Sequence, residues 1–331
     1  MEEFYLFDEN RIPIPIKEGF PDSYLKNYGF PGSAKYHAIH NKSTLLFQSS
    51  KVGDYEIVNS NYFITGNGKL EARSNAPCLE LHFLLTGQVQ IKLKGLDWDV
   101  LEEGSHKMIS IPAVKSEVYF NITPVSTFDV YFTEDTVANL ALKYPRVARL
   151  LTAYREKQYA SLNKIRTKSN ALMFHLIIQI REALKRGLEN EPSTLALVEE
   201  LILMVMEEKP LKAKFQYNFN DVEKIHRAHR LIGTYLDEKD ILKNKMQETK
   251  IIPAKFREGF KLFFGCLPNQ YLHQKRMEKA HELAMEGRGT TVKDIAQLCG
   301  YVSSDHLSNK FLKYYGKRLS TILKEIRKKS K

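Results

Sequence analysis

Two stretches near the end of the chain, 251–265 and 302–316, hold polar side chains at helical spacing. If Phe256, Phe260 and Phe263 form the buried face of the first, a turn of about 100° per residue sets Ala254, Arg257, Glu258 and Lys261 on the opposite face. In the second, Leu307, Phe311 and Tyr314 are the apolar set. That leaves Asp305, Ser308, Asn309 and Leu312 facing outward, with Ser304 at the entering end. Side chains of these types can read base edges. Asn pairs bidentately with adenine N6 and N7, Glu accepts from cytosine N4, and Arg or Lys reaches guanine or phosphate. Lys255 and Lys313 join these faces as cations. Lys317, Arg318, Lys324, Arg327, Lys328, Lys329 and Lys331 offer further charge, which suits phosphates and carries no sequence information. The competing reading of each residue is a solvated surface side chain.

Elsewhere the chain offers little chemistry. His82 stands two residues after Glu80, while His37, His40 and His106 lie apart. A barrel metal site wants two His one residue apart, a Glu and a distant His; no such His pair occurs, so no metal is assigned. The cysteines Cys78, Cys266 and Cys299 form no CxxC pair, so neither a disulfide framework nor a zinc ribbon is readable. No P-loop, GxGxxG or nucleophile signature appears, and we expect neither a cofactor nor an enzyme.

The elements that must position these residues fall into three blocks of an α+β chain. Residues 1–133 read as a small β-barrel or sandwich. Its strands are Asp54–Val58, Tyr62–Thr65, Leu79–Thr86, Val89–Leu93, Met108–Ile111, Glu117–Ile122 and Thr127–Phe132, punctuated by Gly53, Gly66, Gly68, Gly87, Gly95 and Gly104. The run from Leu81 to Leu93 is expected to be a hairpin that turns near Gly87. Residues 134–210 are helical by period and either pack on the barrel or form a dimer face, with Ser193 as a cap for one helix. A linker over 211–220, announced by Pro210 and Lys212–Lys214, precedes an all-helical module over 221–331.

That last module repeats itself. Its opening stripe is Ile225, Ala228, Ile232 and Tyr235, followed by a weak pair, Leu242 and Met246. A shift of 51 residues then lays Phe256 on Leu307, Phe260 on Phe311, Phe263 on Tyr314 and Gly265 on Gly316. The second copy follows Thr291–Tyr301, a short amphipathic segment closed by Gly300, which makes a helix-turn-helix. Between the copies, Pro268 to Glu286 predicts one helix with Leu272, Arg276, Ala280 and Leu283 on a stripe, and Arg276 in a structural role. At about 1.5 Å per residue it spans roughly 28 Å, near the ~34 Å between major-groove faces on one side of B-DNA.

Charge follows the same division. The 331 residues carry 50 Lys and Arg against 39 Asp and Glu; residues 221–331 hold 24 against 13, so the whole excess of +11 lies there. A basic module beside a neutral one points to a polyanionic partner. The longest apolar run, Leu201 to Met206, is six residues, far below the roughly 20 of a membrane helix. Met1-Glu2-Glu3-Phe4 lacks the character of a signal peptide, so a cytoplasmic location and no membrane partner are expected.

Residues 221–328 resemble the AraC/XylS family of bacterial transcription regulators. TVKDIAQLCGYVSSDHLSNKFLKYYG is similar to that family's second helix-turn-helix, and QYLHQKRMEKAHELA to its linker helix. AKFREGFKLFFG resembles the branch typified by the pyochelin-siderophore regulators. The chain departs from the pattern at Lys245 (a packed Ala), Thr249 (the turn Gly), Ile252 (a capping Ser), Asn309 (a common Arg) and Leu319 (a Pro). The resemblance implies a regulator, activator or repressor, that binds a double-stranded DNA operator and meets RNA polymerase. It also implies an N-terminal domain that senses a small-molecule effector, often as a homodimer, with a ferric siderophore as that branch's ligand. Two other readings stay open: a ligand-independent architectural DNA-binding protein, and a metal-dependent cupin-type enzyme. A pocket inside the barrel favours the sensor, whereas a barrel packed solid favours dimerisation alone.

Overall fold

A computed structural model describes residues 4–66, 68–93, 96–163, 167–207, 211–287 and 291–329. Met1, Glu2, Glu3, Gly95, Pro210, Lys331 and the Lys329 side chain lie outside this description. The chain divides into two compact units, Met1–Lys212 with Tyr217–Phe219, and Ala213–Gln216 with Asn220–Lys331.

In the first unit the strands are β1 (Phe4–Phe7), β2 (Pro13–Ile14), β3 (Ile16–Glu18), β4 (Ala34–His40), β5 (Ser43–Val52), β6 (Tyr55–Phe63) and β7 (Lys69–Ser74). They continue as β8 (Cys78–Leu93), β9 (Trp98–Glu102), β10 (Ser105–Ile111), β11 (Val114–Tyr131), β12 (Ala160–Ser161) and β13 (Thr167–Lys168). All pairs are antiparallel. The long strands β8 and β11 form the seam. One half of β8 pairs with β10 and the other with β9, while β11 pairs with β6 along one half and β7 along the other. The sheet thereby curls until Leu6 and Ile14 of one end pack with Ala38, Leu45 and Phe47 of the other, an almost closed barrel.

Here the structure corrects the sequence reading. No hairpin forms at Gly87; β8 runs straight through it. Gly87 has φ +85°, and opposite it the register of β11 jumps from Ile122 to Ser126. A glycine in the left-handed region beside surplus residues is a bulge, which bends a strand and exchanges its faces. Glu80 and His82 before the bulge and Ile91 and Leu93 after it consequently line the same cavity despite opposite parity. A Cβ at position 87 would stand 2.6 Å from the Ile122 carbonyl oxygen, so the crossing admits glycine. Likewise, most of Asp54–Val58 and the start of Tyr62–Thr65 lie in one strand, β6, and Glu117–Ile122 and nearly all of Thr127–Phe132 in one strand, β11. Strand β5 escaped sequence reading because it is buried along nearly its whole length and lacks alternation.

Helices of the same unit are α1 (Asp22–Tyr28), α2 (Glu134–Lys143), α3 (Ala148–Arg155), α4 (Ala171–Lys185) and α5 (Pro192–Glu207). Helix α4 packs on α5, and α5 on β5, where Leu195 closes on Gly53. Ser193 is not a cap, because α5 already begins at Pro192. Asn170 caps α4 by accepting from the amides of Leu172 and Met173 at 3.0 Å.

The second unit is helical: α6 (Phe219–Thr234), α7 (Ile241–Thr249), α8 (Pro253–Phe264), α9 (Pro268–Met285), α10 (Val292–Leu298), α11 (Ser304–Tyr315) and α12 (Leu319–Lys329). The spacing of 51 governs every start: Ile241 and Val292, Pro253 and Ser304, Pro268 and Leu319. Ile225, Ala228 and Ile232 are buried as expected, but α6 ends at Thr234 and Leu236 rather than Tyr235 takes the next buried place. On α7 the buried pair is Ile241 and Thr249 rather than Leu242 and Met246.

Candidate nucleic-acid interface and a barrel cavity

The second helix-turn-helix is built by short-range chemistry. Thr291 and Asp294 form a reciprocal capping box at the start of α10, the Thr hydroxyl accepting from the Asp294 amide and the carboxylate from the Thr291 amide. Gly300, at φ +70°, turns the chain, and the Ser303 hydroxyl then caps α11 by accepting from the His306 amide at 3.1 Å. Leu307 and Phe311 enter a core with Met277 and Ala280 of α9, Ile295 and Ala296 of α10, and Leu319 and Leu323 of α12. Leu319, which stands where the family pattern has Pro, is fully buried there. Tyr314 differs from its counterpart Phe263: it is 44% exposed at the rim, edge-on to His273. Across the helix Asp305, Asn309 and Lys313 are exposed and Ser304 and Ser308 half-buried.

The first copy reaches the same shape by other means. Thr249 Oγ1 donates to the Met246 carbonyl at 2.6 Å and accepts from the Ile251 amide at 3.2 Å, closing the turn that a glycine closes in the second copy. The left-handed residue is Lys250, at φ +56°. Ile252 provides no side-chain cap, and Pro253 opens α8 instead. Lys245, at the usual Ala position, swings its ammonium to Glu248 at 2.8 Å. Ala254, Arg257 and Lys261 are exposed. The other two predicted residues are engaged inside the module: Lys255 pairs with Asp221 at 2.6 Å, and Glu258 accepts from the Lys214 amide at 2.8 Å.

Arg276 on α9 holds the two copies together. Its guanidinium donates to the carbonyls of Leu236 at 3.1 Å and Glu238 at 2.7 Å, and lies 5.4 Å from the Tyr301 ring centre. Burial lowers its pKa, yet its carbonyl partners need the cation's donors. Gly300 lies so close that a Cβ there would come within 2.5 Å of both Arg276 and the Leu236 oxygen.

Inside the barrel is a cavity of about 670 Å³. Its walls combine aromatic rings, among them Phe47, Tyr62 and Tyr131, with a polar group that sequence reading did not assemble. Register places Asp129 of β11 directly opposite His82 of β8, and Glu80 lies on the same face as His82. His82 Nδ1 is 2.7 Å from Asp129 Oδ1 and 3.2 Å from Glu80 Oε1. Burial opposes the charged ring, but the Asp129 and Glu80 carboxylates prevail and hold its pKa at about 9. Burial raises the Asp129 carboxyl and the Cys78 thiol. The signal for Asp129 was faint: an acid within an otherwise apolar strand, with no partner until register is known.

Residues 246–325 match the model of a helix-turn-helix domain family. The second unit carries a helix-turn-helix domain. Across 101 residues, 29% of this chain, the sequence is 31% identical to "Probable transcriptional regulator LumQ" of Photobacterium leiognathi. The match spans 40% of that curated relative's length. Among solved structures, the AraC-like transcriptional activator CuxR is 13% identical, with 88% of this chain and 90% of that one covered at a TM-score of 0.36. ToxT of Vibrio cholerae is 13% identical, with 82% and 97% covered at a TM-score of 0.28. No described helix is long and apolar enough to cross a membrane.

Proposed function

We propose that this chain is a sequence-specific regulator of transcription of the AraC/XylS type, which grips double-stranded DNA with α11 and α8 and holds a small-molecule effector in its barrel. The observation that carries the reading is the outward polar face of α11, mounted on a capped, glycine-turned helix pair inside the helix-turn-helix domain. On this reading Asn309, Asp305, Ser308 and Ser304 meet base edges and Lys313 a phosphate. Arg257, Lys261 and Ala254 form the second contact, with Lys255 and Glu258 bracing α8 from behind. RNA polymerase and a second copy of the chain are the further partners. The barrel senses rather than catalyses, and its cavity supports an effector over a barrel serving dimerisation alone.

Selection from a randomised duplex library at two salt concentrations tests this. One recovered motif is the expected result, with Asn309→Ala relaxing a single base position by about 1–3 kcal/mol. Lys313→Ala should weaken all sequences alike and lower the salt slope by about one. Binding without any preferred sequence would instead describe an architectural protein.

A further inference from the structure

The geometry points to a divalent transition-metal site in the barrel wall, formed by Glu80, His82 and Asp129. The three donors converge because β8 places Glu80 and His82 on one face and β11 brings Asp129 directly across from His82. Their separations of 2.7 and 3.2 Å approach the roughly 3 Å between neighbouring ligand atoms around a metal with bonds of about 2.1 Å.

Burial supplies a second, independent argument. Glu80 and Asp129 are 8% and 5% exposed, and a single imidazolium offsets only one of two carboxylates so enclosed, whereas a divalent cation offsets both. Asp129 Oδ1 is buried with His82 Nδ1 beside it but in no aligned hydrogen bond, and His82 Nε2, the ring nitrogen away from the two carboxylates, is buried without a hydrogen-bond partner. Thr127 donates to the other Asp129 oxygen at 2.9 Å, which orients the carboxylate and turns Oδ1 toward His82 and Glu80. Among the described residues lining the cavity there is no Lys or Arg. Lys107, opposite His82 on β10, directs its ammonium to Asp99 at 3.6 Å. A dication with two carboxylates and a neutral imidazole sums to zero charge. One nitrogen and two oxygens suit Zn²⁺, Fe²⁺, Mn²⁺ or Co²⁺, and three protein ligands leave coordination positions open toward the cavity. Water or an oxygen-donor small molecule can complete the sphere.

The site is independent of DNA recognition, since it is measured on the protein alone. The experiment titrates the chelator-stripped full-length chain with Co²⁺, followed by calorimetry and visible absorption. One equivalent should bind, and His82→Gln and Asp129→Asn should each weaken that binding more than tenfold while metal-free circular dichroism stays unchanged. Should both variants misfold, Mn²⁺ added to the wild-type protein should broaden NMR signals centred on residues 80, 82 and 129. Cobalt binding that both folded variants retain, broadening centred elsewhere, or no binding at millimolar Co²⁺ would overturn the proposal and leave an imidazolium clasped by two carboxylates.

Discussion

Replacing Arg276 with Met removes two hydrogen bonds and keeps the side chain's bulk. Each bond runs from a charged donor to a backbone carbonyl, a class that contributes about 1.5–3 kcal/mol. Two sum to about 3–6 kcal/mol, but Glu238 lies at the surface where water can replace its partner, and dehydrating the guanidinium offsets part of the rest. We therefore expect a loss of about 2–3 kcal/mol in the second unit, and about half of that for Arg276→Lys, whose ammonium reaches one carbonyl at a time. The sole Trp, Trp98, belongs to the barrel unit, so its fluorescence does not follow this change. Amide hydrogen exchange does, because it resolves segments of a chain whose two units need not unfold together. Peptides covering Leu236–Ile241 and Ile295–Tyr301 should lose protection by roughly thirty- to a hundred-and-fiftyfold. Protection within about 0.5 kcal/mol of wild type would refute the view that Arg276 ties the halves.

Gly300→Ala combines a left-handed backbone with a clash and should cost more than about 2 kcal/mol. Gly316→Ala, at φ +69° with open space around it, should cost about 1 kcal/mol, and comparing the two by exchange isolates the clash. Lys250→Gly should stabilise the first helix-turn-helix by about 0.5–1 kcal/mol, seen as a higher melting temperature, since glycine relieves a left-handed position now held by Lys. Burial pushes the His175 imidazole on α4 down to about 4, so the folded state favours the neutral ring. Its contribution is intact above the unfolded value near 6.5 and is lost as pH falls from there through about 4. Urea unfolding followed by Trp98 fluorescence should accordingly show a smaller loss of stability on acidification in His175→Gln than in wild type. An equal loss in both would remove His175 from the account.

The helix-turn-helix pair was legible because its signals are local. Phe256 and Phe260, or Leu307 and Phe311, are four residues apart on one helix, and Ser303, Gly265 and Gly316 act on the backbone within a turn of themselves. Such information needs no knowledge of distant chain, and the 51-residue echo doubles it. The outward faces followed by subtraction. What subtraction does not reveal is that Lys255 and Glu258 on α8 are already held, because Asp221 and Lys214 lie more than thirty residues away in sequence.

In the barrel the balance reverses. Apolar runs and glycines announced strands, but whether Gly87 reverses the chain or merely bends it depends on which strand lies opposite, and β11 comes from beyond β10. That pairing alone brings Asp129 to His82, across a gap in sequence that no motif spans. Residue types and periodicity specify helices and their faces because a helix bonds to itself. A sheet bonds to remote chain, so its register, its cavity and the meeting of Glu80, His82 and Asp129 exist only once the barrel has closed.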